Sequence, residues 1–157
     1  MDLPLMKKMY NTPVNNVLKA ELENCNTKNT PFFTFEGNEY LCKCVKVYDG
    51  DTITVVFKPF KVDLPNSIYK YNIRLAGIDT PELKTNNIDE KNKAMYVRDL
   101  LREKILDKFI IIKCGKFDKY GRLLADVYDE NKTEHINKWL IDSGFANVYD
   151  GGTKQLF

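Results

Sequence analysis

The sequence predicts an α+β domain, mainly β, built as a small curled barrel with helices packed outside it. Three observations lead there. Short runs rich in β-branched and aromatic residues, several alternating with period two, are joined by tight turns rather than by long crossovers. One helical stripe is inserted after the first group of strands, and a second closes the chain. A length of 157 residues with 43% hydrophobic content suits one core with modest extras and is too short for two. A five-stranded OB-fold barrel has this order of elements.

The elements follow in sequence. Thr12 can cap a short helix with Pro13 at its first position, and Val14, Val17, Leu18 and Leu22 keep a helical period. Asn24 to Pro31 is polar and helix-hostile, a linker. Phe32–Glu36 and Glu39–Tyr48 flank Gly37-Asn38, a hairpin signal. Asp49-Gly50 turns the chain into Thr52–Phe57, and Lys58–Lys70, with Pro59 and Pro65, forms a long loop. Tyr71–Ile78 is the next strand. Asp89 can cap a helix whose stripe is Ala94, Val97, Leu101 and Ile105. Phe109–Cys114 and Arg122–Tyr128 are strands about a turn at Asp118–Gly121. Thr133 can cap a last helix with Ile136, Leu140 and Ile141 inward, ended by Gly144. Residues 1–39 thus form an amino-terminal extension of short helix, linker and first strand, and residues 40–157 the barrel domain.

Composition narrows the function classes. No apolar run reaches the roughly 20 residues of a membrane span, and Met1–Lys8 holds no apolar stretch of signal-peptide length. An intracellular protein, cytoplasmic or nuclear, with no membrane partner is expected. The net charge of +2 is no nucleic-acid footprint in itself, so any such surface has to come from local placement. Cys25, Cys42, Cys44 and Cys114 lack zinc-ligand spacing and read as free thiols in a reducing compartment.

Three clusters carry the candidate chemistry. Asp49-Gly50-Asp51-Thr52 is a turn dense in carboxylates, yet not an EF-hand, because the twelfth position from Asp49 is Phe60. Arg74-Leu75-Ala76-Gly77-Ile78-Asp79-Thr80-Pro81-Glu82 ends a strand on two acids, and Pro81 holds Thr80 extended so that its carbonyl direction is fixed. Asp118-Lys119-Tyr120-Gly121-Arg122 is a Gly-containing hairpin tip. Of 24 cations only Arg74, Arg98, Arg102 and Arg122 are arginines, and two of them stand in these clusters. Arginine grips two phosphate oxygens at once where lysine does not. Oxygen ligands, a loose carboxylate and two guanidinium groups are a kit for phosphodiester hydrolysis. The one histidine, His135, lies far from the clusters in sequence and reads as surface or structural, so a general base has to be a carboxylate.

Taken in order, with the helix between them and Ser143-Gly144-Phe145-Ala146 after the last, the three clusters resemble the staphylococcal nuclease (thermonuclease) family over residues 40–150. The resemblance implies an OB-fold and a Ca²⁺-dependent nuclease, with Mg²⁺ the less favoured ion. It would cleave DNA and RNA endo- and exonucleolytically and leave 3′-phosphate ends. Carried over residue by residue, Asp51 and Asp79 supply metal carboxylates and Thr80 its backbone carbonyl. Glu82 orients or deprotonates the attacking water. Arg74 and Arg122 hold the phosphate and stabilise the five-coordinate transition state. Asp49 sits just outside the metal's ligands, Lys119 and Tyr120 contact the sugar–phosphate, and Tyr149 lines the nucleotide pocket. A monomer is expected. The alternative is a catalytically weak or inactive OB-fold module that binds nucleic acid, since relatives that lose catalytic residues take that role.

Overall fold

The computed structural model describes residues 16–61 and 65–157. They divide into two units: residues 16–34 with 65–66, and residues 35–61 with 67–157. The first unit carries helix α1 (Asn16–Glu23). Its cap at Thr12-Pro13 and Val14 lie outside the described residues. Val17, Leu18 and Leu22 are exposed. In the loop that follows, Asn26 and Asn29 clasp each other, each side-chain oxygen accepting a backbone N–H of the other's segment.

The second unit is the barrel. Its strands are β1 (Glu39–Val47), β2 (Thr52–Phe57), β3 (Tyr69–Leu75), β5 (Phe109–Phe117) and β6 (Leu123–Asp129), closed in the order β1-β2-β3-β6-β5. All neighbours are antiparallel except β3 and β6, which run parallel with Arg74 opposite Leu124. Alternation decides what points inward. In β2 Ile53, Val55 and Phe57 are buried while the residues between them are half-buried, and Ile73, Ile110, Ile112, Leu123 and Val127 complete the interior. Helix α2 (Ile88–Ile105) covers the barrel with Ala94, Val97, Leu101 and Ile105, the stripe read from the sequence. Helix α3 (Ile136–Asp142) buries Ile136 and Leu140, and Gly144 follows its end at φ 76°. The α+β barrel class is as expected.

Four local expectations fail, each for a physical reason. Phe32–Glu36 is not a strand. Both edges of β1 are taken, by β2 and by β5, so no hairpin partner remains for it. Phe35 instead enters the core at 4% exposure, and the Glu36–Asn38 turn bonds to β5, Gly37 N–H donating to the Cys114 carbonyl at 2.8 Å. The cap of α2 is Asn87, not Asp89. Asn87 Oδ1 accepts the N–H groups of Asp89 and Glu90, which puts Asp89 in the first turn, where its charge suits the helix dipole. Thr133 does not cap α3, because its hydroxyl donates to Asp129 at 2.7 Å. The strand expected at Tyr71–Ile78 breaks at Ala76-Gly77, where Gly77 turns the chain at φ 73°. Beyond it the two-residue strand β4 (Ile78–Asp79) pairs with β7 (Asn147–Val148).

Candidate active site

The β1–β2 turn, the β3–β4 segment and the β5–β6 hairpin open onto one cleft of about 820 Å³. Asp51, Arg74, Asp79, Thr80, Glu82, Lys119, Tyr120, Arg122 and Tyr149 all line it, as does Asp49. His135 does not: it stacks on Tyr128 at 4.7 Å and bonds Asp126.

The β1–β2 turn is folded by its own side chain. Asp49 Oδ1 accepts the N–H groups of Asp51 (3.1 Å) and Thr52 (2.8 Å), a local turn that aims Asp51 at β4. Gly50 permits the close approach. A Cβ there would stand 2.7 Å from Val97 Cγ1 and 2.8 Å from Thr80 Cγ2. Burial, and then the charge of Asp51, push the Asp49 carboxyl up to about 6.

At the centre, Arg74 Nη2 lies 3.1 Å from Asp51 Oδ2 and 3.3 Å from Asp79 Oδ1, while Nη1 donates to the carbonyls of Leu75 and Ile78, both at 2.9 Å. Asp51 Oδ2 also accepts the amide and hydroxyl of Thr80. Asp79 and Thr80 are 3% and 2% exposed. Two buried carboxylates therefore share one guanidinium, whose fork is turned onto protein groups. The turn that separates Arg74 from Asp79 is held by a residue the sequence did not flag. Asn137 of α3 is buried, donates to the carbonyls of Ala76 and Ala125, and accepts the N–H of Val127.

Arg122 is placed differently. Its Nε donates to Asp118 Oδ2 at 2.7 Å and its Nη1 to the Thr52 hydroxyl at 3.2 Å. Among the described residues none bonds its Nη2, and the side chain lines the cleft. Burial pulls the Asp118 carboxyl up, but the amides of Arg122 and Tyr120 and the Arg122 side chain outweigh it and hold it below the usual range. Tyr120, 71% exposed, offers a ring with Lys119 Nζ 5.0 Å and the Arg122 guanidinium 5.5 Å from its centre. Tyr149 donates its N–H to the Gly77 carbonyl beside β4.

Glu82 lies at the cleft rim. Its N–H bonds Glu90 Oε1, and its carboxylate meets Lys154, whose Nζ also lies 3.1 Å from Asp79 Oδ1. Burial opposes the charge of Lys154, but hydrogen bonds to Glu82 and Asp79 and their charges raise its pKa. Sequence reasoning missed this residue. The tail Gly151-Gly152-Thr153-Lys154 has no period and no motif, so nothing marks its lysine as a site group.

Among the described residues no group of three or more His, Cys, Asp or Glu side chains is arranged to hold a metal ion. The donor chemistry nevertheless fits a hard cation. Asp79 already draws two cations, the Arg74 guanidinium and the Lys154 ammonium, and the carboxylates of Asp51 and Glu82 beside it offer oxygen ligands.

The fold and site together define a class of small closed β-barrel domains whose carboxylate turns and arginines meet in one open cleft. The model of the family described as staphylococcal nuclease homologue matches residues 72–155. The chain is 32% identical over 139 residues to an uncharacterized protein of Methanocaldococcus jannaschii, covering 74% of this chain and 63% of that one. It is 30% identical over 114 residues to the thermonuclease of Staphylococcus hyicus (71% and 61%) and 34% identical over 108 residues to an uncharacterized endonuclease of Haemophilus influenzae (69% and 52%). The chain belongs to the staphylococcal nuclease family, and spans about three fifths of the length of the first curated relatives it matches. No helix among the described residues is long and apolar enough to cross a membrane.

Proposed function

We propose that this chain is a metal-dependent nuclease that hydrolyses the phosphodiester bonds of DNA and RNA, endo- and exonucleolytically, with Ca²⁺ as its ion and 3′-phosphate ends as its product. One observation carries the reading. A single cleft gathers the paired carboxylates Asp51 and Asp79, the rim carboxylate Glu82 and an arginine, Arg122, whose Nη2 is unbonded among the described residues. Asp51, Asp79 and the Thr80 carbonyl are the groups that would hold the ion, which when bound supplies charge neutralisation at the phosphate.

The remaining work belongs to side chains. Glu82 takes a proton from the attacking water as its oxygen bonds to phosphorus. The bond from phosphorus to the 5′ oxygen then breaks, and that oxygen leaves with the electron pair and takes up a proton. Arg122 offers N–H donors to the phosphate oxygens as their charge grows, and Arg74 fixes the positions of Asp51 and Asp79. Tyr120, with Lys119 beside it, gives a stacking face at the entrance for a base next to the cut. We take the nuclease domain to begin at Phe35 rather than at residue 40, because the Phe35 side chain is part of the barrel core.

The test is cleavage of single- and double-stranded DNA and of RNA by the full chain with Ca²⁺, with Mg²⁺ and with chelator. Ca²⁺-dependent cleavage that Glu82→Gln lowers about 10²–10³-fold, with binding little changed, is the expected result. Oligonucleotide binding without metal-dependent cleavage would overturn it in favour of the binding module.

A further inference from the structure

Asp79 Oδ1 is faced by two cations of different standing. Arg74 approaches it from β3 at 3.3 Å and is pinned there, its other terminal nitrogen donating to the carbonyls of Leu75 and Ile78. Lys154 approaches it at 3.1 Å from the tail beyond β7, where residues 153–157 belong to no helix or strand, and its side chain is half exposed. One cation is pinned by backbone carbonyls of the barrel; the other comes from a segment outside the helices and strands and keeps half of its side chain in solvent.

The same ammonium bonds Glu82 Oε1. The carboxylate of Glu82 has no other partner among the described residues, so the group that would accept the proton of the attacking water is held, through one of its two oxygens, by Lys154. An exposed lysine–carboxylate pair is ordinarily worth little. Here one of the two carboxylates is buried, and a positive charge beside it is screened far less by solvent. The lysine therefore answers a need of Asp79, which would otherwise share a single guanidinium with Asp51.

We propose that Lys154 is a further residue of the active site: an ammonium that holds Asp79 Oδ1 and Glu82 Oε1 together and that gives up Asp79 when the divalent ion binds Asp51, Asp79 and the Thr80 carbonyl. The inference rests on the nuclease reading above. Two consequences follow. The ion competes with a group that is always present, so its apparent affinity is reduced by the fraction of molecules in which the lysine is out of place. Its entry also unties Glu82 from Asp79, so loading of the metal and release of the base from the buried carboxylate become one event.

The test needs no nucleic acid. Ca²⁺ is titrated calorimetrically into the full wild-type chain and into Lys154→Met, Lys154→Arg and Asp79→Asn at constant ionic strength. If the lysine is in place about nine tenths of the time, Lys154→Met binds Ca²⁺ about tenfold more tightly. Lys154→Arg, which keeps the charge, stays near wild type, and Asp79→Asn loses binding. Thermal melts of the same proteins give a second reading: Ca²⁺ raises the midpoint of Lys154→Met more than that of wild type. Equal or weaker Ca²⁺ binding by Lys154→Met, with the Asp79 dependence intact, overturns the role of the lysine and leaves the nuclease reading standing. Absence of Ca²⁺ binding in both wild type and Lys154→Met overturns both.

Discussion

The two ends of β2 carry opposite kinds of order. At Phe57, which pairs with Tyr69, the strand enters a cluster of rings. Phe57 lies 4.9 Å from Tyr40, 6.2 Å from Phe35 and 6.2 Å from Tyr71, and Tyr71 lies 6.1 Å from Phe117. At Thr52, which pairs with Arg74, it enters the ionic cluster of Asp51, Arg74, Asp79 and Thr80. The rings pack edge-to-face or tilted about the buried Phe35 and Phe57, contacts that no solute in the medium can replace. The ionic cluster is held by charge, and charge can be exchanged. If Lys154 gives way to an ion as proposed above, the exchange takes place at one end of β2 while the ring contacts at the other end stay as they are.

The sharpest way to break the contrast is Arg74→Ala. Removing one partner of a buried ion network costs about 3–5 kcal/mol, read by urea denaturation in chelator. Ca²⁺ should return part of that loss, because Asp51 and Asp79 are left without their shared cation. Cleavage should also collapse. A wild-type midpoint would mean that the network carries no stability. Phe35→Ala is the matching change at the other end, with a cost near the lower limit for such truncations, about 3 kcal/mol. Ca²⁺ should stabilise this variant no more than it does wild type, and cleavage per folded molecule should be unchanged; a Ca²⁺ rescue would show that the two ends are coupled. The smallest of the three is Gly50→Ala. Its new methyl presses on Val97 and Thr80, so α2 or the turn has to shift, at about 2 kcal/mol. Because Thr80 holds Asp51, cleavage should fall as well, and normal activity in a destabilised Gly50→Ala protein would place that contact outside the site.

What the sequence made legible follows from what kind of signal each part leaves. The barrel strands alternate, so Thr52–Phe57 could be read as a strand, and the stripe of α2 has a clear period, so Ala94, Val97, Leu101 and Ile105 could be assigned inward without coordinates. The residues gathered in the cleft stand in turns dense with Asp, Gly and Arg, and turn chemistry is local. Other features depend on the closed fold. Phe35 looks like a strand residue until both edges of β1 prove occupied. The pairing of β4 with β7 rests on two residues a side, too few to show a period. Asn137 lies on a helix face like any polar residue, and only the Ala76 turn beneath it gives it a task. Lys154 is the extreme case: it is one of many lysines, on a tail with no pattern, and becomes distinctive only where Asp79 receives it.

The barrel interior has one more property. Cys42, Cys44 and Cys114 are buried within it, whereas Cys25 is exposed. Burial pushes the thiols of Cys44 and Cys114 up to about 11 and that of Cys42 higher still. Thiolate is the form that reacts with oxidants and alkylating agents, so three of the four sulfurs are silent while the strands stay closed. The domain thus carries its own record of opening: a reagent that has marked Cys25 alone has met a closed barrel, and one that has reached the other three has met a molecule that came apart.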